Sequence, residues 1–320
     1  MGRRKKGRAV HGWLVLDKPY DMGSTEAVSK IRWLFDAQKA GHAGTLDPLA
    51  TGILPIAMGE ATKTVSFVQD GLKTYRFTAR WGISTSTDDM EGEETETHDH
   101  RPSLEDIKSV LPQFTGTITQ IPPAFSAVKI NGARAYDLAR EGAVVAPPPR
   151  EVHIERLDLV EQPSQDEAIF EAVTSKGTYV RALVRDMAKA LGTVGHVSSL
   201  RRTAVGPFTE DMAVSFEDLT GQPANSRLTP EDRQSAQYDK ELLGLDQALA
   251  DYPQVGIDRQ EAARLSVGGD VVLPIAKVSP LRLGNPEDIE PILAMEEDRP
   301  IALCRLEGLK LCPTKVFNIN

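Results

Sequence analysis

Among the 46 acidic residues of the 320-residue chain, Asp47 has the local sequence best suited to chemistry. It stands in Gly41-His42-Ala43-Gly44-Thr45-Leu46-Asp47-Pro48-Leu49-Ala50-Thr51-Gly52, where three glycines and one proline fall within twelve residues. Glycine loosens the backbone, and proline fixes φ and removes a donor, so the stretch excludes a regular helix or central strand and predicts a shaped loop. Pro48 biases Asp47 toward extended backbone, from which its side chain can project out of a tight bend. A carboxylate presented this way can serve as nucleophile or base. It can equally satisfy neighbouring N–H groups in an Asx turn.

The flanking elements must position that loop. Gly12-Trp13-Leu14-Val15-Leu16 reads as a buried strand stopped by Asp17-Lys18-Pro19. A helix follows, N-capped by Ser24 or Thr25, with Val28, Ile31, Leu34 and Phe35 on its buried face. Beyond the loop, Glu60-Ala61-Thr62-Lys63 opens a second helix carrying Val65 and Phe67. From Lys73 to Trp81 the pattern alternates, with Tyr75, Phe77, Ala79 and Trp81 on one face, which predicts a strand. Glu93 through His100 reads as an exposed acidic loop, and Ser103 to Asp106 resembles a capping box opening another helix. Val152 to Val160 and Ala168 to Val173 read as strands. Val180, Leu183, Val184, Met187 and Leu191 then mark a helix ended by Gly192; Arg181 falls on a different stripe and is expected to leave the core. A polar run from Gly221 to Asp239 predicts a linker, and the apolar runs around Val271, Ile292, Ile301 and Val316 predict a small β-rich domain.

Composition narrows the class. Two cysteines, Cys304 and Cys312, are too few for a disulfide framework, and no apolar run reaches the roughly 20 residues of a membrane span. The basic N-terminus lacks the apolar stretch of a signal peptide, so a cytoplasmic protein is expected. A net charge of −9 taken alone disfavours a nucleic-acid partner. Yet Arg3, Arg4, Lys5, Lys6 and Arg8 crowd the N-terminus while acidic residues crowd 88–99, so a basic footprint can coexist with an acidic remainder.

The Asp47 stretch, continued by Ile53-Leu54, meets every fixed position of G-H-x-G-x-L-D-P-x-A-x-G-x-L and resembles the signature of the TruB-type pseudouridine synthases, the bacterial tRNA pseudouridine-55 synthases. Further family motifs match at Leu16-Asp17-Lys18-Pro19, at Lys73-x-Tyr75, at Gln120 through Lys129, at Ser175 through Arg181 and at Val197 through Thr203. The segment Ser84 to Gly92 resembles T-D-T-x-D-x-x-G with Ser86 in place of the first Asp. Together they run almost without a gap from about Gly12 to Phe216.

The resemblance implies an α/β fold of the α+β type: a catalytic core with a mixed, largely antiparallel sheet, plus a small β-rich, PUA-like C-terminal domain. The expected divisions are a disordered basic tail over 1–10, a catalytic domain over 11–220 with an RNA-gripping insertion at 124–150, a linker over 221–239 and an RNA-binding domain over 240–320. It assigns catalysis to Asp47, substrate binding to His42, Tyr75, Tyr179 and Leu200, and support to Lys18, Pro19, Asp89 and Arg181. Arg181, held by Asp89, is expected to lower the Asp47 pKa by roughly 1 to 3 units. Lys129, Arg134 and Arg140, interleaved with Phe125 and Tyr136, suit backbone and stacking contact with a folded RNA loop. The implied partner is the T arm of tRNA, with no cofactor, metal, membrane or obligatory protein partner, and a monomer is expected. The implied reaction converts uridine 55 in the T loop to pseudouridine; whether Asp47 attacks C1′ or removes a ribose proton stays open. Three other readings are a glycosidase, which needs a second carboxylate, a catalytic subunit of a guide-RNA particle, and an RNA-binding or tRNA-folding protein.

Overall fold

A computed structural model describes residues 7–126, 129–130, 133–134, 147–233, 236–282 and 289–319. Its main sheet has nine strands: β1 Gly12–Lys18, β2 Ala40–His42, β3 Thr51–Met58, β4 Lys73–Trp81, β7 Gly116–Gln120, β10 Arg150–Glu161, β11 Glu167–Thr174, β12 Gly195–Val205 and β13 Phe208–Thr209. The spatial order is β1-β3-β12-β4-β11-β10-β7, with β2 on β3 and β13 on β12. Only β3 and β12 run parallel, so the sheet is mixed and largely antiparallel as expected. Their short parallel pairing sets Arg202 opposite Gly52, where φ is +96° and a Cβ would lie 2.2 Å from the Arg202 carbonyl oxygen. Glycine is therefore required for β12 to approach the end of the Asp47 loop.

Two short hairpins fill the remaining strand numbers: β5 Ile83–Thr85 with β6 Glu94–Thr97, and β8 Lys129–Ile130 with β9 Ala133–Arg134. The acidic segment from Glu93 to His100 is exposed as expected, but part of it is a strand, because β6 pairs with β5. The helices cover the sheet. α1 Ser24–Leu34 buries Ala27, Ile31 and Leu34, and α4 Val180–Ala190 buries Leu183, Val184 and Met187 against Phe77, Trp81 and Phe170. Between them, α2 Val65–Asp70 follows a 3-10 turn at Gly59–Lys63, a break that the single helix read from the sequence does not contain. α3 Leu104–Val110 begins with the reciprocal Ser103–Asp106 capping box read from the sequence.

Two expectations need correction. Residues 1–6 of the tail lie outside the described residues, but the rest of 1–10 is docked: Val10 is buried and Arg8 pairs with Asp239 at 2.5 Å. The polar run 221–239 is irregular, yet it packs on the core. Tyr238 is buried against Phe35 at 5.5 Å between ring centroids, and its hydroxyl donates to the Asp232 carbonyl. Polar composition excludes regular structure there, whereas a single aromatic anchor decides whether the segment floats.

The C-terminal sheet, order β14-β16-β17-β18-β15, comprises β14 Gln254–Gly256, β15 Val271–Val272, β16 Ile289–Glu296, β17 Arg299–Glu307 and β18 Lys310–Val316. One face has its own apolar core, while Leu293, Leu303 and Phe317 join Trp13, Ile53 and Ala57 of the main sheet in a shared cluster.

Candidate active site

The chain from Gly44 to Pro48 makes no regular ladder, so each of its five carbonyls must find a donor elsewhere. Each does. Arg202 donates from Nη2 to Gly44 O at 3.0 Å and from Nη1 to Thr45 O at 3.4 Å. The Ser24 hydroxyl donates to Leu46 O at 2.8 Å and accepts from Leu46 N at 2.8 Å. Asp47 O accepts from Ala50 N at 3.1 Å, and Pro48 O accepts from Lys18 Nζ at 3.1 Å. This is why Ser24 does not cap α1: the residue at the cap is Gly23, with no side-chain bond, and the serine hydroxyl is spent on the loop. Lys18 is fully buried at the end of β1, and it also donates to Pro19 O and Met22 O. Burial lowers its pKa to about 8, with Asp47 pulling it back up. Lys18 thus reaches the loop at Pro48, while Pro19 contributes only a carbonyl that accepts from Lys18.

Asp47 comes to rest with its side chain 35 % accessible on the floor of a cleft of about 840 Å³. Arg181 Nε lies 2.9 Å from Asp47 Oδ2, forming an ion pair whose N–H is off line for a hydrogen bond. Arg181 leaves the apolar core, as its stripe predicted, but enters the cleft wall rather than solvent and is 5 % exposed. Its Nη1 donates to Thr87 O at 2.9 Å, its Nη2 to Phe125 O at 3.0 Å, and Asp89 Oδ2 stands 3.5 Å from Nη1. Asp89 is itself fixed through Oδ1 by the Thr87 hydroxyl at 2.5 Å and Glu91 N at 3.0 Å. Arg181 pulls the Asp47 pKa down as expected, but desolvation at the cleft floor, the larger cause, pushes its carboxyl up, and Asp89 adds to the rise. Burial outweighs one imperfectly aligned cation.

The other expected residues divide. Tyr75 on β4 and Tyr179 at the start of α4 line the same cleft as Asp47, and the Arg150 guanidinium lies 4.7 Å from the Tyr179 ring centroid. Gln120 brackets the Tyr179 backbone, accepting from its N–H at 2.8 Å and donating to its carbonyl at 3.0 Å. Leu200 lines a smaller recess beside Asp47 with Tyr20 and Val197. His42 does not line either space. It lies behind the loop at the end of β2, its Nδ1 buried without a partner, and desolvation, then Arg202, lower its pKa. The side chains of Lys129, Arg134 and Arg140 lie outside the described residues, as does most of the 124–150 insertion.

Three site residues escaped the sequence reading. Tyr20, 60 % exposed at the recess, follows the Lys18-Pro19 motif directly and could have been found there. Ser24 was seen only as a cap. Arg202 lies within the matched motif Val197 through Thr203, but nothing in that motif tells it from Arg201; the pairing with Gly52 sends it inward.

The same fold occurs in solved structures. "Crystal Structure of a Cbf5-Nop10-Gar1 Complex" contains a chain with TM-score 0.69 and 25 % identity, matched over 96 % of this chain and 85 % of that one. "Structure of H/ACA RNP bound to a substrate RNA containing 2'-deoxyuridine" contains one with TM-score 0.70 and 22 % identity, over 100 % and 92 % respectively. Both chains share the fold described here. The family follows from sequence. Residues 32–180 match the model described as TruB family pseudouridylate synthase (N terminal domain), and residues 181–250 match the tRNA pseudouridylate synthase B C-terminal domain. Proteins called tRNA pseudouridine synthase B are similar throughout: 50 % identity over 320 residues in Caulobacter vibrioides, covering all of both chains, and 55 % over 271 residues in Agrobacterium fabrum, covering 85 % of each. The chain belongs to the TruB family, and it isomerises uridine to pseudouridine in tRNA.

Proposed function

We propose that the target is uridine 55 in the T loop, and that Asp47 is the group that reacts. The carrying observation is the carboxylate at 2.9 Å from a buried arginine, on the floor of a cleft whose walls bear two tyrosines. A base stacked in an RNA loop cannot reach that floor, so it must be extruded, at a cost of a few kcal/mol that phosphate contacts and stacking on Tyr75 offset. Asp47 then attacks C1′ or removes a ribose proton, and the glycosidic bond breaks with its electron pair staying on the uracil; the turned uracil bonds C1′ through C5 as Asp47 is released or returns its proton to the ribose, C5 loses its hydrogen and N1 ends protonated. Arg181 holds the carboxylate in place, and Asp89 holds Arg181. His42 orders the loop from behind, and Leu200 borders the recess. No cofactor takes part.

In this reading the insertion, through Lys129, Arg134 and Arg140, grips the T arm, and the C-terminal sheet adds a second RNA contact. The catalytic domain spans 11–220 and the RNA-binding domain 240–320, with 221–239 as a packed connection. The enzyme acts as a cytoplasmic monomer without a protein partner. The second reading is a catalytic subunit of a guide-RNA particle; in its favour, the fold is shared with a chain of an H/ACA RNP bound to a substrate RNA. The test is conversion of a minimal T-arm stem-loop by purified protein. Pseudouridine should form at one position with protein alone; formation only after a guide RNA is added overturns the stand-alone reading.

A further inference from the structure

Two arginines on α4 lie one helical turn apart, and the reaction described above uses only the first. Arg181 and Arg185 share a stripe of the helix, as residues four apart do, and each reaches two segments from elsewhere in the chain. Arg181 donates to Thr87 O and Phe125 O. Arg185 donates from Nη1 to Asp88 Oδ2 at 3.0 Å and from Nη2 to Ile121 O at 2.8 Å, while its Nε donates to Asp186 Oδ1 at 2.9 Å. Each arginine thus holds one residue of the pair 87–88 and one residue of the stretch 121–125, where the insertion begins.

The ion pair with Asp47 does not fix where Arg181 points, because the Nε–H is off line for a hydrogen bond. Its direction comes from the carbonyls of Thr87 and Phe125. The Thr87 carbonyl belongs to a turn in which Asp88 has left-handed backbone, with φ at +60°. Such backbone is unfavourable for a residue with a side chain, and it persists where the surroundings over-determine it. They do so here. Asp88 N donates to Thr85 O at 3.2 Å, and Asp88 O accepts from Val197 N of β12 at 3.1 Å. Its carboxylate, 14 % accessible, is taken by Arg185. The backbone bonds hold the turn to the sheet, and the ion pair ties it to the helix that carries Arg181, through a contact that Arg181 itself does not make.

We propose that Asp88 and Arg185 are positioning residues for the reaction: their ion pair fixes the Thr87 carbonyl and Asp89 against α4, so that the Arg181 guanidinium stands beside the Asp47 carboxylate before RNA arrives. Through Ile121 the same arginine holds the chain just ahead of the insertion to the helix. This rests on the role given above to Asp47. A cation set in place beforehand needs no reorganisation when the carboxylate reacts, so loss of the pair appears in the rate of the bound complex rather than in the amount of RNA bound.

The experiment measures the single-turnover rate on a T-arm stem-loop at saturating enzyme, the RNA Kd and a melting curve for Asp88→Asn, Arg185→Met, Arg181→Met and the double variant Asp88→Asn with Arg181→Met. Asparagine tolerates left-handed backbone, so Asp88→Asn keeps the turn and removes the charge. Its rate should fall about five- to twentyfold, with the Kd within about twofold of wild type and a melting curve close to it. Arg185→Met should slow the reaction at least as much and bind RNA more weakly, since Ile121 also loses its donor. Residues that act through one group are non-additive, so adding Asp88→Asn to Arg181→Met should slow that variant by no more than about twofold. A loss that multiplies in the Arg181→Met background overturns the proposal. So does Asp88→Asn with a lowered melting temperature and a wild-type rate, the result expected of a pair that serves the fold alone. Should either methionine variant not fold, the rate of Asp88→Asn against its Kd decides. Asp47→Asn is run alongside. If it retains turnover, the reading of the site fails and this inference with it; if it is inactive while Asp88→Asn reacts at the wild-type rate, only this inference fails.

Discussion

The Asp47 loop and the C-terminal sheet handle charge in opposite ways. Around the loop, Lys18, Arg181 and Arg202 are all nearly inaccessible, and most of their donors go to backbone carbonyls. On the C-terminal sheet the cations sit at the surface in pairs such as Lys310 with Asp270 at 2.5 Å, where the side chains are 51 % and 35 % accessible. A surface pair trades one well-hydrated state for another and contributes little. A buried cation donating to carbonyls gives up hydration to fix a backbone that has no ladder of its own. The first arrangement specifies geometry; the second keeps a surface wet. The two regions should therefore respond very differently to loss of a charge.

Asp47→Asn should produce the largest effect, a rate loss on the order of 10⁴-fold or more, because the amide is neither nucleophile nor base. Arg181→Met comes next. On the proposed role Asp47 reacts as the anion, and its carboxyl is pushed up by burial, so activity should fall as the pH drops through a value above the ordinary carboxylate range. Removing the guanidinium removes the main force pulling that value down, so the acid limb of the pH–rate profile should move to higher pH. The rate at neutral pH should fall roughly ten- to a hundredfold. An acid limb that stays put in Arg181→Met means the pair is not electrostatic.

Lys18→Met should separate geometry from stability. Pro19, Met22 and Pro48 carbonyls lose their donor, a cost of about 1–3 kcal/mol for each group left unpaired. Deleting the ammonium also removes its own desolvation cost, which the lowered pKa of about 8 registers. The melting temperature should thus drop only a few degrees while the rate drops about tenfold, as Pro48 and the adjoining Asp47 are released. A large melting loss with a normal rate would show that the lysine serves the fold alone. At the bottom of the scale, Lys310→Ala should leave melting temperature and turnover at wild-type values; a measurable loss of either would place the C-terminal pairs in the same class as the loop cations.

Much of this was legible in the sequence, for local reasons. The capping box at Ser103 depends on residues three apart, and it forms. The Asp47 loop was legible over its middle, where glycine and proline mark irregular backbone, but Gly41-His42 and Thr51-Gly52, read as loop, belong to β2 and to the central strand β3. What could not be read is what depends on distant chain. Ser24 looks like a helix cap until Leu46, 22 residues away, claims its hydroxyl. Arg202 looks like a surface arginine until β12 lies parallel to β3 and Gly52 admits it. The pKa of Asp47 was misjudged for the same reason: the arginine beside it could be foreseen, but the depth of the cleft could not.

The central claim is that this clamped loop exists to present one carboxylate. It is tested most directly by single-turnover pseudouridine formation with Asp47→Asn, with T-arm binding and a melting curve measured on the same preparation. The account predicts no detectable turnover, a melting curve matching wild type, and binding that is equal or slightly tighter, since one negative charge has left a site that meets a polyanion. Near wild-type turnover by the Asn variant would contradict it.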